Sequence, residues 1–380
     1  MSSKLRLTAV SLLVGATALT GLGAPAVSAS SPSRTARGVL DRMSLPQRVG
    51  QLFMVGTPAT GASTATLDAI TRHHAGNVIL TGRSYRGVRA TAKVSAALQS
   101  RATATATHGV RLFVATDQEG GEVQVLNGRG FSDMPTALAQ GRLSLATERA
   151  DAATWGHQLH RAGVNLNLAP VLDTVPSPQA AANNPPIGWY DREFGYTTKR
   201  VGNHGRAFMY GMGDAGVAAT GKHFPGLGRV HGNTDTTSGV TDTVTRRHDP
   251  YFEPFQKAVT AGLPVMMMST AYYSRLDARH PAAFSPYIIG TILRGDLGFN
   301  GVVVSDSLGT PQVSKWSPGT RALRFVHAGG DIVLITDPRM LPAMYDAVLS
   351  RAQSHPAFQA EVDRAALRVL IAKQRYGLLG

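Results

Sequence analysis

"GVVVSDS", residues 301–307, sets three valines behind a glycine and ends in a Ser-Asp-Ser turn. Consecutive β-branched residues with no polar alternation describe a strand buried on both faces, the condition of strands in a parallel sheet. Asp306 stands where that strand must end. Other runs share the form: "QLFMVG" (51–56), "NVILTG" (77–82), "RLFVATD" (111–117), "NLNLAPVLD" (165–173), "VAATGKHF" (217–224), "PVMMMST" (264–270) and "DIVLIT" (331–336). Helix-like segments lie between them, near 88–104, 142–162, 197–214, 250–261, 286–296, 317–328 and 339–352. Short buried strands separated by helices predict an α/β fold with a parallel sheet. Eight such units predict a single (β/α)8 TIM-type barrel, and 380 residues are enough to build one. An open doubly wound sheet would need a Gly-rich phosphate turn after the first strand, and "VGTPATGAS" matches that fingerprint poorly.

The polar residues cluster by position. Asp117, Asp173, Lys222, His223, Thr270 and Asp306 all fall at or near the C-terminal end of a predicted strand. In a barrel those ends converge on one face, and that face carries the active site. The stretch "GKHFPGLGRVHGNTDTTSGV" (221–240) adds Arg229, His231 and Asp235 to the same region. A loop that opens on Lys-His and turns on Pro-Gly suits gripping a polar substrate and moving a proton.

Composition sets the surroundings. Apolar residues make up 43% of the chain, so a large core can be buried, and no Cys is present to form a disulfide or carry a lipid. Lys4 and Arg6 precede the apolar "LTAVSLLVGATALTGLG" and the small-residue "APAVSAS". That order predicts a secretory signal peptide over residues 1–29, cleaved after Ala29, and a secreted protein. The stretch is short and rich in Gly, Ala and Thr, which argues against a membrane anchor. Residues 30–38 read as a linker and 39–380 as the barrel domain. The formal net charge is +14, but the Arg residues are scattered. Without a basic block or an aromatic-interleaved basic run, the charge points to solubility or to an anionic cell wall rather than to nucleic acid. No later segment is apolar enough to span a membrane.

Each motif has a plain alternative. Asp306 beside Ser305 and Ser307 suits a nucleophile or a metal ligand, and equally a helix cap. In "ATDQEGGEV" (115–123) Gly120 and Gly121 let the backbone bend close to a ligand, with Asp117 and Glu119 ahead of them. Asp173 reads as a brace for neighbouring loops. Arg192 in "DREFG" (191–195) can donate to a hydroxyl or a carbonyl, or lie solvated. Twelve His are present, but none falls in a metal-binding helical pair, so no metal and no cofactor are expected. No Gly-x-Ser-x-Gly elbow follows a strand.

Taken in order, "VGQLFMVG", "ATDQEGGEV", "NLNLAPVLD", "REFG", "GKHFPG", "PAAFSP", "LGFNGVVVSDSLG" and "HAGGDIVLI" resemble glycoside hydrolase family 3, in its single-domain β-N-acetylhexosaminidase branch. The resemblance spans nearly the whole chain after residue 38. It implies a (β/α)8 barrel and a retaining double displacement on a carbohydrate substrate. It places Asp306 on the family's nucleophile and Asp117, Arg192, Lys222 and His223 on its sugar-binding positions. The branch's usual Lys-His-Phe-Pro-Gly-His-Gly and Asp-Ser-His are altered here. Leu227 replaces the first of those later His residues, and Asn233-Thr234-Asp235 occupies the Asp-Ser-His positions. Glu122 stands where the family commonly has Arg. Asp235 or His231 is then the expected acid and base. The expected function is secreted hydrolysis of terminal β-linked N-acetylglucosamine from chitin fragments or cell-wall glycan. The alternatives are a β-glucosidase and a glycan-binding protein without turnover.

Overall fold

The computed structural model describes residues 35–379. The expected signal peptide and the first residues of the expected linker lie outside the described residues. Helix Ala36–Arg42 begins inside the 30–38 stretch, where the Thr35 hydroxyl accepts from the Gly38 N–H and starts it.

All eight predicted runs form barrel strands: β1 (Phe53–Pro58), β2 (Asn77–Thr81), β3 (Phe113–Thr116), β4 (Leu166–Asn167), β5 (Ala218–Phe224), β6 (Val265–Met268), β7 (Val302–Ser305) and β8 (Val333–Ile335). They form one sheet in the spatial order β7-β6-β5-β4-β3-β2-β1-β8, and every pairing is parallel. The ring closes between β7 and β8. Val304 bridges Ile332 there, and the Leu334 N–H donates to the Ser305 hydroxyl at 3.0 Å.

Alternation along the strands separates two cores. Met54, Ile79, Phe113, Val302, Val304 and Leu334 point into the barrel. Phe53, Val55, Val78, Val114, Val303 and Val333 face the surrounding helices. Residues one apart on a strand point to opposite faces, so the valines of 302–304 serve both layers. The helices Thr64–Arg72 and Pro356–Arg375 were not among the predicted segments. The second covers the N-terminal mouth of the barrel, where Val369 and Ala372 join the inner core. Lys373 is buried there, donating to the Gln51 side chain at 2.8 Å and to the Gly76 carbonyl at 2.7 Å.

The opposite mouth is built by the long connections. After β3 the chain makes an antiparallel hairpin of Gln118–Gly120 and Val123–Gln124. Beyond β5, Thr241–Asp242 pairs with Tyr272–Tyr273, which pairs in turn with Asp277–Pro281. This small sheet ties the loop after β5 to the loop after β6.

Candidate active site

The strand ends surround a cavity of about 600 Å³ lined by Asp117, Arg192, Lys222, His223, Asp235 and Asp306, among others. Its floor is a network of alternating charges. Asp117 and Glu119 are two apart on extended chain, which turns both side chains to the same side. Lys222, almost fully buried near the end of β5, donates to Asp117 at 2.6 Å and pairs with Glu119 at 2.5 Å. Arg192 grips Glu119 with two N–H groups, at 2.9 and 2.8 Å, and donates a third to the Pro186 carbonyl at 2.6 Å. Burial alone would raise the pKa of Glu119, but the charges and hydrogen bonds of Arg192 and Lys222 outweigh it and hold the carboxylate at about 2. For Lys222, burial opposes the charge, and Asp117 and Glu119 more than restore it.

One wall is set by Asp173, which is completely buried. Its carboxylate lies 2.7 Å from His223 Nδ1 and accepts the backbone N–H of His223 at 3.1 Å and of Leu227 at 2.7 Å. With Nδ1 engaged by the carboxylate, Nε2 is the ring nitrogen left to engage a ligand. Asn184 pins the same loop by donating to the Leu227 and Val230 carbonyls, each at 2.8 Å. Arg229 turns away from the cavity to Asp249 and Thr245, at 2.9 and 2.8 Å, and stacks over Tyr251.

Asp306 and Asp235 complete the mouth. The Ser307 N–H donates to Asp306 Oδ1 at 2.8 Å, holding the half-buried carboxylate in place. The Asp235 N–H donates to the Asn233 side chain at 2.9 Å. Asp235 is exposed along its loop, yet its carboxyl lines the cavity. Crowding by protein atoms and the nearby charge of Asp306 raise its pKa from 3.8 to about 6. The far end of its loop is strapped down by Gln312. The buried Gln312 amide accepts from the Val240 N–H at 3.0 Å and donates to the Val240 carbonyl at 3.0 Å. That strap joins the segment carrying Asp235 to the one following Asp306. Among the described residues, no group of three or more His, Cys, Asp or Glu is placed to hold a metal ion.

Residues 44–372 match the glycosyl hydrolase family 3 N terminal domain. The chain belongs to glycosyl hydrolase family 3. This family 3 chain is 30% identical over 340 residues to a beta-hexosaminidase of Stenotrophomonas maltophilia (strain K279a), covering 86% of this chain and 96% of that one. It is 56% identical to a beta-N-acetylhexosaminidase from Beutenbergia cavernae of known structure, with a TM-score of 0.87 over 87% of this chain and 98% of that one. A family 3 beta-N-acetylglucosaminidase from Paenibacillus is 33% identical, with a TM-score of 0.81 over 88% of this chain and 63% of that chain.

Of the expected site residues, this glycoside hydrolase brings Asp117, Arg192, Lys222, His223, Asp235 and Asp306 to one cavity. His231 is absent from the lining; it is exposed, with Nδ1 3.1 Å from the Asn183 carbonyl. Thr270 is buried and likewise absent from the lining. Asp173 is a brace, holding His223 and the turn at Leu227. Glu119 sits at the centre of the charge network but had no role assigned from the sequence. Its spacing from Asp117 was the available signal. Glu122 lines the cavity beside Arg83, whose guanidinium donates to the Glu122 carbonyl.

Proposed function

We propose that the chain hydrolyses terminal β-linked N-acetylhexosamine, with Asp306 as nucleophile and Asp235 as acid and base. The observation that carries this is the pairing of two carboxyl groups with different environments in one cavity: Asp306 is held by a backbone N–H, and Asp235 is raised to about 6. Two carboxyl groups in different environments on one cavity are the working pair of a glycosidase. The names of the relatives, all hexosaminidases or glucosaminidases, support the choice of sugar.

Lys222, Arg192, Asp117 and His223 hold the sugar hydroxyls. Asp306 attacks the anomeric carbon as the bond to the leaving oxygen breaks, and Asp235 gives its proton to that oxygen. A glycosyl ester on Asp306 and an ionised Asp235 result. With Asp306 neutralised as an ester, the part of the rise in the Asp235 pKa that comes from its charge is gone, while burial still contributes. Asp235 then takes a proton from water, the water oxygen attacks the anomeric carbon, and Asp306 leaves. Two inversions give net retention.

A panel of nitrophenyl N-acetylhexosaminides and hexosides tests the assignment. Turnover of the N-acetylglucosaminide, lost in Asp306→Asn, supports it. Preference for a glucoside changes the sugar, and sugar binding without turnover makes this a glycan-binding protein. The 1–29 segment and the +14 charge support action outside the cytoplasm, on chitin fragments or wall glycan. Fractionation of cells producing the full chain checks this: activity confined to the cytosol refutes it.

A further inference from the structure

The 48 residues from Ala69 to Thr116 contain seven Lys or Arg and no Asp or Glu. They build one sector of the barrel: β2, helix Gly87–Gln99, the short helix Ala104–Thr107 and β3. The cations are scattered along the chain, but the fold lines up four of them. Arg86 precedes the first turn of helix Gly87–Gln99, Arg89 and Lys93 stand on it four residues apart, and Arg101 follows its end. Residues three and four apart share a helix face. This face lies opposite Thr91, Val94, Ser95 and Leu98, which are buried against the barrel. All four cations are exposed. Among the described residues no carboxylate pairs with any of them: the flanking acids Asp68, Asp117 and Glu122 pair with Arg72, Lys222 and Arg83 instead. Arg129 adds another exposed cation at the start of the helix, where its carbonyl accepts the Val88 N–H at 3.1 Å. A helix of 13 residues rises about 20 Å, so the strip runs from the catalytic mouth toward the opposite one. Its upper end meets the active site. Arg83, three residues before Arg86, lines the catalytic cavity, and Tyr85 between them is 72% exposed.

We propose that this strip is a docking surface for a phosphodiester-linked polymer carried on the glycan that the cavity cuts. The carrier's identity rests on the hydrolase reading above. A strip of exposed cations without a pocket suits repeated charges on a flexible chain rather than one small anion. Three of the four cations are arginine, whose planar fork takes two phosphate oxygens at once. Continuity with the cavity favours a polymer joined to the substrate over a nucleic acid. A chain linked to the glycan lies along the face beside which that glycan is cut, and Arg83 joins the two regions. Docking of this kind raises the concentration of glycan ends at the mouth and leaves the chemistry there as it is.

The probe is bacterial wall sacculi that carry a phosphodiester polymer, compared with the same sacculi stripped of it by cold hydrofluoric acid. Co-sedimentation gives the apparent affinity. The wild type should hold intact sacculi about tenfold tighter than stripped ones, and added salt should shrink the difference. The combined variant Arg86→Gln, Arg89→Gln, Lys93→Gln and Arg101→Gln should lose that difference. Its turnover of nitrophenyl N-acetylglucosaminide should stay at the wild-type rate, since none of the four lines the cavity. A control removes the same charge elsewhere. Arg246→Gln, Arg275→Gln, Arg279→Gln and Arg364→Gln together change four exposed arginines outside this sector, and the difference should survive. Equal binding of intact and stripped sacculi by the wild type, or equal losses in the two variants, overturns the proposal while nitrophenyl turnover keeps the hydrolase reading standing. Tighter binding of DNA than of intact sacculi makes the strip a nucleic-acid surface and overturns it as well. Strip-dependent binding of intact sacculi without nitrophenyl turnover supports the docking surface and refutes the hydrolase reading alone.

Discussion

Asp235 can be tested by its pH dependence. Its pKa of about 6 replaces an ordinary 3.8. At pH 7 roughly a tenth of such a group is protonated, against roughly one part in 1,600 at the ordinary value, so the pocket raises the donor population on the order of a hundredfold. For substrates with poor leaving groups, kcat/KM should fall as the pH rises through about 6. Asp235→Ala should erase that limb and lower kcat/KM for these substrates by about 10²–10⁴-fold, the usual worth of a general acid. Dinitrophenyl substrates need little protonation, so their first step should stay fast and glycosyl-enzyme should accumulate. Azide, which needs no base, should restore turnover and yield a β-glycosyl azide. A stability effect accompanies this. Between pH 3.8 and about 6 the folded chain holds a proton that the unfolded chain has released. Stability therefore declines as pH rises through that window, and the penalty persists above it. Asp235→Asn should raise Tm at neutral pH and not below the unfolded pKa. A limb near pH 6 that survives Asp235→Ala would refute the assignment.

Asp306→Asn should abolish turnover with the fold intact, and an activated 2-fluoro sugar should label the wild type at Asp306, as peptide mapping will show. Glu119→Ala should cost about 3–5 kcal/mol in urea unfolding, because it strands the buried Lys222 and its neighbour Arg192 without their shared anion. Lys222→Ala should lower kcat/KM by about 10–150-fold, the equivalent of about 1.5–3 kcal/mol for a charged hydrogen bond to substrate. His231→Ala should leave the rate and its pH profile as they are, since the side chain lies outside the cavity lining. A lost limb in that variant would make His231 the donor.

The barrel strands were legible because each is a short apolar run buried on both faces, with a turn at its end. β4 was the least visible: only Leu166–Asn167 pair as strand within the apolar run 165–173. The helix Pro356–Arg375 follows Leu341–Ser354 directly, and the sequence reading stopped with the earlier segment. Strand-end position pointed to Asp117, Lys222, His223 and Asp306, all of which line the cavity, because position along a strand is a local property. That Glu119 packs into the charge network with Arg192 and Lys222 while Glu122 lines the cavity depends on the hairpin that follows β3, a tertiary feature. The same holds for His231 against Asp235. Both lie on one polar loop, and only the pins at Asp173, Asn184 and Gln312 decide which carries its side chain to the cavity.

The Gln312 strap holds the loop that carries position 235 without fixing which side chain stands there. It acts on the backbone of Val240 and makes no demand on the side chain at 235, which extends from an exposed loop. Aspartate and histidine codons differ by a single base, so the chemistry at this position is open to exchange by one mutation. An inherited loop frame of this kind lets a lineage try a carboxylic acid or an imidazole in the same place. An engineer who installs Asp235→His inherits that frame as well, with no loop to redesign.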